Sequence, residues 1–310
     1  MQSVFNAAIK MEINMNDTDR IKDHHISGLV KANLDQIEKL QRNKGPVLTG
    51  LPTGFTYLDR ITSGLNNSDL IILTSCPKFG KTALALNIAK NVAVDQRVPV
   101  FIFSLEFTAE QLSMRMLSME SRVSGVCVKK GNLEEGDWDR IKKTSYILSE
   151  APIYIDASPG ISISDISYTI SGVENKAAAG LVIIDYFQLI KSESGSQNRR
   201  IELAEMANDL KRLARKLDIP ILLLFQLDID MEDRRDKRPT LIDLANAGSF
   251  DQDADLVLFI YRDEVYYSCA EPCNRGRAEI IIAKNKKGST GSACLNFYSL
   301  YGLFTEIAHD

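Results

Sequence analysis

Ser75 to Thr82 reads SCPKFGKT and differs at one position only from G-x-x-x-x-G-K-[ST], the pattern of a loop that wraps phosphate groups. In such a loop, backbone N–H groups and the N-terminus of the following helix cradle phosphate oxygens. Lys81 would reach the terminal phosphates, and Thr82 would hold a magnesium ion. Gly80 lets the backbone approach closely, and Ser75 can stand in for the first glycine if its φ is negative. The candidate nucleotide segment is therefore Ser75, Cys76, Pro77, Lys78, Phe79, Gly80, Lys81, Thr82 and Ala83. Two acids complete the chemistry. Asp185 closes the apolar run GLVIID and would bind magnesium through water, while Glu106 follows VPVFIFSL and is suited to polarising an attacking water. Either acid alone could be a helix cap; with Lys81 and Thr82 they assemble a site for hydrolysing ATP with Mg2+.

The elements that must position these residues can be read from the apolar pattern. LIILTS, VPVFIFSL, APIYIDA, GLVIIDYFQLI, IPILLLFQL and ADLVLFIYR are short, β-rich and almost continuously apolar. That is the signature of parallel strands covered by helices on both faces. LIILTS precedes the loop and TALALNIAKNVAV follows it, giving the strand–loop–helix order the motif requires. Acids at strand ends place the chemistry at the carboxyl edge of the sheet. The last stretch, AEIIIAKNKKGSTGSACLNFYSLYGLFTEI, holds two strand-like runs about a Gly-containing turn, so the sheet is expected to end in antiparallel hairpins. Upstream, SGLVKANLDQIEKLQRN sets Leu29, Leu34, Ile37 and Leu40 on one helical face. That helix either folds back on its own domain or docks on a neighbouring subunit. The organisation expected is a flexible arm over residues 1–27, an amphipathic helix over 28–44 and an α/β domain over 45–310.

Composition bounds the alternatives. The 310 residues carry a net charge of −4 and are 45% hydrophobic, as expected of a globular protein whose nucleic-acid contacts are confined to a local patch. No signal-peptide pattern and no run of eighteen apolar residues is present, so a cytoplasmic protein without a membrane partner is expected. Five cysteines without C-x-x-C argue against a disulfide framework or a structural zinc site. Cys269 and Cys273 could ligate a metal, but with no histidines nearby a loop is the preferred reading.

Several motifs in order, TGLPTGFTYLDRITSGLNNSDLIIL, PKFGKTALALNIA, FSLEFTAEQLSMRML, IIDYFQLI, DKRPTLIDL, GSFDQDADLVLFIYRDEVYY and AEIIIAKNKKGSTG, run from about Val30 to Ile307. Together they resemble the C-terminal motor domain of DnaB-family replicative helicases. The resemblance implies a RecA-like P-loop ATPase fold with a mainly parallel central sheet flanked by helices and a C-terminal antiparallel hairpin extension. It also implies a homo-hexameric ring that threads single-stranded DNA 5′ to 3′ and uses ATP at each interface. By position, Lys81 and Thr82 match the loop lysine and hydroxyl, Glu106 the catalytic base, Asp185 the magnesium aspartate and Gln226 the glutamine that senses the γ-phosphate. Lys284 matches a lysine that reaches into the neighbour's site, and Lys286 stands where the family has an arginine finger. Tyr261 and Arg262 sit where the family flanks the base, though either could equally be a core-edge residue.

The chain also departs from the family. A lysine offers one compact ammonium where arginine offers a planar fork, so slower hydrolysis is expected. Before the Gly-Ser of DLANAGSF, Ala245 and Asn246 replace an arginine and a glutamate, leaving Asn246 and the Gly248 amide to meet DNA. After Gln226, Asp228 and Asp230 put acids where a cation is usual, which weakens phosphate binding. Arg234 and Arg235 open a basic cluster whose more ordinary role is a solvated loop. The family usually carries an N-terminal collar that receives primase, and only a short stretch precedes the helix here. Primase binding is therefore not expected, and the sequence leaves open a helicase loader or a separate N-terminal-domain partner. Two functions of different class follow: an ATP-driven DNA helicase motor, or a catalytically slowed, ATP-binding, ring-forming regulatory or assembly module.

Overall fold

The computed structural model describes residues 26–42, 48–172, 180–191, 198–231, 233–248, 250–267 and 275–307. The expected arm lies outside them apart from Ile26 and Ser27, and so do Cys269 and Cys273. The chain divides into two units, Met1–Val47 and Leu48–Asp310. The described part of the first is one helix, α1 (Ile26–Arg42), on which Ile26, Val30, Leu34 and Ile37 recur at helical spacing and are exposed.

The second unit is built on a nine-stranded sheet of order β3-β2-β4-β5-β1-β6-β7-β8-β9. Its strands are β1 (Leu70–Ser75), β2 (Val100–Ser104), β3 (Ile153–Asp156), β4 (Leu181–Asp185), β5 (Ile221–Gln226), β6 (Leu256–Tyr261), β7 (Arg277–Asn285), β8 (Gly291–Tyr298) and β9 (Leu303–Glu306). The six from β3 to β6 are parallel. In β1, β2, β4 and β6 every residue is buried, as continuous aliphatic runs covered on both faces must be. Strands β6 to β9 pair antiparallel. In β7 and β8 burial alternates, so one face packs and the other is wet. The short β9 is a third C-terminal strand beyond the two runs expected from the sequence.

The helices are α2 (Thr56–Thr62), α3 (Lys81–Lys90), α4 (Ala109–Ser121), α5 (Gly125–Lys130), α6 (Asp137–Ser149), α7 (Ile163–Gly172), α8 (Arg199–Leu217), α9 (Leu241–Gly248) and α10 (Asp263–Tyr266). Helix α4 starts with a reciprocal Thr108–Gln111 capping box, which satisfies two terminal donors. The connection from β1 through α3 crosses over β5 and β4 to reach β2. Strand order therefore reverses at β1, and a crevice opens at its carboxyl end.

Candidate nucleotide site

The loop of residues 75–82 stands at that crevice. Ser75 is the last residue of β1, in register with Gln226 of β5, and is absent from the residues with positive φ. A side chain is therefore tolerated where the motif has glycine; the Ser75 hydroxyl donates to the Cys76 carbonyl at 2.8 Å. Two positions do take the left-handed conformation, Gly80 at φ 101° and Lys78 at φ 70°. A Cβ on Gly80 would lie 3.3 Å from the Phe304 ring, so glycine is needed for both its backbone and its lack of a side chain.

The loop is anchored from behind by side chains that turn inward. Cys76 is buried, burial pushes its thiol pKa up, and its Sγ approaches the Ile229 carbonyl at 3.9 Å. Phe79 is buried among Tyr261, at 6.4 Å between ring centroids, and Tyr266, at 5.4 Å. Pro77 and Lys78 are exposed, and Ala83 lies in the first turn of α3 against Gly302. Cys76 and Phe79 can thus serve a nucleotide through the backbone they position rather than through their side chains.

Lys81 and Thr82 open α3. Thr82 Oγ1 donates to Asp185 Oδ2 at 2.8 Å, while Asp185 Oδ1, also buried, has no hydrogen-bond partner among the described residues. Burial pushes the Asp185 carboxyl up to about 6, although the Thr82 hydrogen bond works against the rise. Burial also lowers the pKa of the Lys81 ammonium, which the charges of Asp185 and Glu106 partly restore. A buried carboxylate with one orphan oxygen beside a threonine hydroxyl is a donor set that fits a hard divalent cation such as Mg2+.

Glu106 reaches the same edge because β2 and β4 are in register at Ser104 and Asp185, and the Leu105 N–H donates to the Asp185 carbonyl at 2.6 Å. The Ser104 hydroxyl donates to the Phe107 carbonyl at 2.7 Å and accepts its N–H at 3.1 Å. That pair of bonds fixes the turn on which Glu106 stands exposed. Gln226 ends β5 half-buried, beside β1.

Other expected residues are placed differently. Tyr261 is buried in the aromatic cluster, with the Arg238 guanidinium 4.6 Å from its ring centroid, so its ring belongs to the wall behind the loop, as the core-edge alternative has it. Arg262 is buried too; it pairs with Glu264, donates to the Lys78 carbonyl at 3.3 Å, and lies 4.4 Å from the Phe297 ring centroid. Arg234 is paired with the buried Asp243 and is committed to holding the start of α9. Gly248 is buried as the last residue of α9. Arg235 and Asn246 are exposed, as are Asp228 and Asp230. Arg200, which the sequence did not single out, donates to the Ala245 carbonyl at 3.1 Å and so stands beside the position where the family's arginine is missing.

Lys284 and Lys286 lie at the opposite edge. Asn285 pairs with Leu256 at the start of β6, about 17 Å of strand from its carboxyl end. The Lys284 ammonium donates to the carbonyls of Asp251 at 2.7 Å and Gln252 at 3.3 Å; burial and the adjacent Lys286 lower its pKa. The Lys286 ammonium donates to Asp255 Oδ1 at 3.2 Å. Both thus stand at the edge of the sheet opposite the loop.

The fold and this edge define a RecA-like P-loop α/β domain, and comparison with known proteins narrows the class. The family model for the DnaB-like helicase C terminal domain matches residues 50–306, and the chain belongs to that family. It is similar to the replicative DNA helicase DnaC of Bacillus subtilis (strain 168) and to the replicative DNA helicase DnaB of Geobacillus stearothermophilus, 43% identical to each over 284 residues. Those matches cover 91% of this chain and 62% of each relative, so the chain spans less than two thirds of their length. A solved ATPase domain superposes with a TM-score of 0.84 at 31% identity, covering 90% of this chain and 99% of that one. A DnaB-like replicative helicase solved with its interactions with primase gives 0.82 at 29% identity, covering 98% and 76%. Among the described residues no helix is long and apolar enough to cross a membrane.

Proposed function

We propose that this chain is the motor part of a replicative-type DNA helicase, hydrolysing ATP with Mg2+ at the interfaces of a homo-hexameric ring to move 5′ to 3′ on single-stranded DNA and unwind duplex. The observation that carries the reading is the division of charge between the two edges of the sheet. Lys81, Thr82, Asp185 and Glu106 gather at one edge, and Lys284 and Lys286 stand at the other. A head-to-tail contact between copies brings the two halves together, and a heterologous contact of that kind closes into a ring. The exposed apolar stripe of α1 gives such a contact a surface on the next copy.

Thr82 and Asp185 would hold the magnesium ion, whose charge neutralises phosphoryl oxygens when bound. The chain's own groups do the rest. Loop N–H groups and the α3 N-terminus orient the phosphates, and Lys81 places a desolvated positive charge where negative charge develops. Glu106, on its Ser104-fixed turn, accepts the proton of the attacking water. Gln226 lies one strand from the loop, where it can register the terminal phosphate. Lys286 supplies the cation from the neighbour, and Lys286→Arg in assembled rings should raise turnover by about tenfold or more, given what an arginine finger contributes.

The test is steady-state ATP hydrolysis with magnesium, with and without a single-stranded oligonucleotide, using Lys81→Ala as the blank. Strong stimulation by DNA supports the motor. Nucleotide binding without stimulated turnover would instead support the ring-forming regulatory module, a reading favoured by Lys286, by Ala245 and by the exposed Asp228.

A further inference from the structure

The β4–β5 ladder stops at the Asp185–Leu224 pair, whereas β5 continues to Gln226. Beyond that point β5 has no strand on its β4 side among the described residues, yet the backbone of Gln226 is satisfied there by one side chain. Gln188 Nε2 donates to the Gln226 carbonyl at 2.7 Å, and the Gln226 N–H donates to Gln188 Oε1 at 3.3 Å. A carboxamide that takes both the N–H and the C=O of one residue mimics a strand partner and fixes orientation as well as distance.

Gln188 is itself held firmly. It sits in the 3-10 turn Phe187–Leu189, three residues after Asp185. Phe187 is fully buried and meets Phe250 edge-on at 5.5 Å, and Phe250 also contacts Phe225 of β5 at 4.6 Å. Arg199, the first residue of α8, donates to the Gln188 carbonyl and pairs with Glu202. The turn after Asp185, the end of β5 and the start of α8 thus converge on one amide.

We infer that Gln188 is a positioning residue that locks the Gln226 backbone to the strand carrying Asp185, so that occupancy of the metal and phosphate site is transmitted to Gln226 and to the segment following it. The inference rests on the reading of Gln226 given above. Gln188 touches neither nucleotide nor metal in this scheme; it sets the angle at which β5 delivers Gln226 to the loop. A lost amide leaves two half-buried backbone groups unpaired and lets the end of β5 swing.

The full chain is assayed for nucleotide affinity, for turnover with and without a single-stranded oligonucleotide, and for thermal midpoint, as wild type, Gln188→Ala, Gln188→Glu, Gln226→Ala and the double variant Gln188→Ala/Gln226→Ala. Gln188→Ala should keep nucleotide affinity within about twofold while losing about tenfold of the DNA stimulation, the scale of one well-placed hydrogen bond. Gln188→Glu keeps the acceptor for the Gln226 N–H and loses the donor to its carbonyl, so it should fall between; it also carries the test if the alanine variant does not fold. In the Gln226→Ala background the Gln188 substitution should add little, since the two act as one unit. Stimulation retained in both Gln188 variants, or losses that multiply in the double variant, would overturn the inference. A lower thermal midpoint with unchanged stimulation would show a purely structural residue and overturn it too. If the wild type shows no DNA stimulation, the underlying motor reading fails and this inference falls with it.

Discussion

Asp185 and Asp255 are both buried aspartates at strand ends of one sheet, and they are treated in opposite ways. At the amino edge, Asp255 Oδ2 accepts the Leu70 N–H at 2.9 Å and the Lys211 ammonium, and Oδ1 accepts Lys286 at 3.2 Å. Burial pushes this carboxyl up, but its hydrogen bonds from Lys211 and Leu70 outweigh the rise and hold it below the ordinary value. At the carboxyl edge, Asp185 has one hydroxyl donor and one orphan oxygen, and its pKa climbs to about 6. A fold that saturates one buried charge has every means to saturate the other. Where it does not, the partner proposed above for the orphan oxygen is a bound cation.

Four substitutions sharpen or break this contrast. Asp255→Asn leaves the Lys211 ammonium buried opposite a neutral amide and should destabilise the protein by about 3–5 kcal/mol, read as a lower denaturant midpoint. Asp185→Asn should do the reverse in nucleotide-free protein. A folded pKa of about 6 against an ordinary 3.8 gives wild type a contribution present below pH 3.8 and lost as pH rises through 6. Removing that charge should therefore stabilise the protein at pH 7 by up to about 3 kcal/mol, with the gain vanishing in acid, while metal-dependent turnover disappears. Equal signs for the two variants across denaturation curves at pH 4 and pH 7 would break the comparison. Gly80→Ala forces a left-handed alanine against Phe304 and should cost about 1–2 kcal/mol in thermal unfolding together with nucleotide affinity. Ser75→Gly restores the motif on paper but loosens an extended, buried strand end. It should cost about 0.5–1 kcal/mol without tightening nucleotide binding, and tighter binding by titration would show that the first glycine still matters.

The sequence exposed the apolar strands almost to the residue, because a strand covered on both faces has no polar positions to blur it; LIILTS is β1 and GLVIID ends β4. Lys81, Thr82, Asp185 and Glu106 were legible for the same reason: each follows such a run. Strand order was not legible, since neither β3 at the edge nor β1 at the centre carries a local mark of its neighbours. Nor was the fate of Tyr261, Arg262 and Arg234, whose side chains are consumed by Phe79, Glu264 and Asp243, partners 182, 2 and 9 positions away. Gln188 escaped notice because a glutamine after a strand has no signal until the end of β5 is seen beside it.

The loop's own helix is fastened by residues far along the sequence from it. The Asn87 carboxamide accepts the Phe304 N–H at 3.1 Å across 217 positions of sequence and donates to the Gly302 carbonyl at 3.0 Å. The same strand brings the Phe304 ring against Gly80. Seen in time, α3 leaves the ribosome long before the strand that fastens its Asn87. The β1 strand must likewise wait for β5 and β6 on either side, and a nascent chain halted before Leu303 lacks the partner of Asn87 and the ring against Gly80. Firm seating of the loop should then wait for residues 302–304, made long after the loop itself.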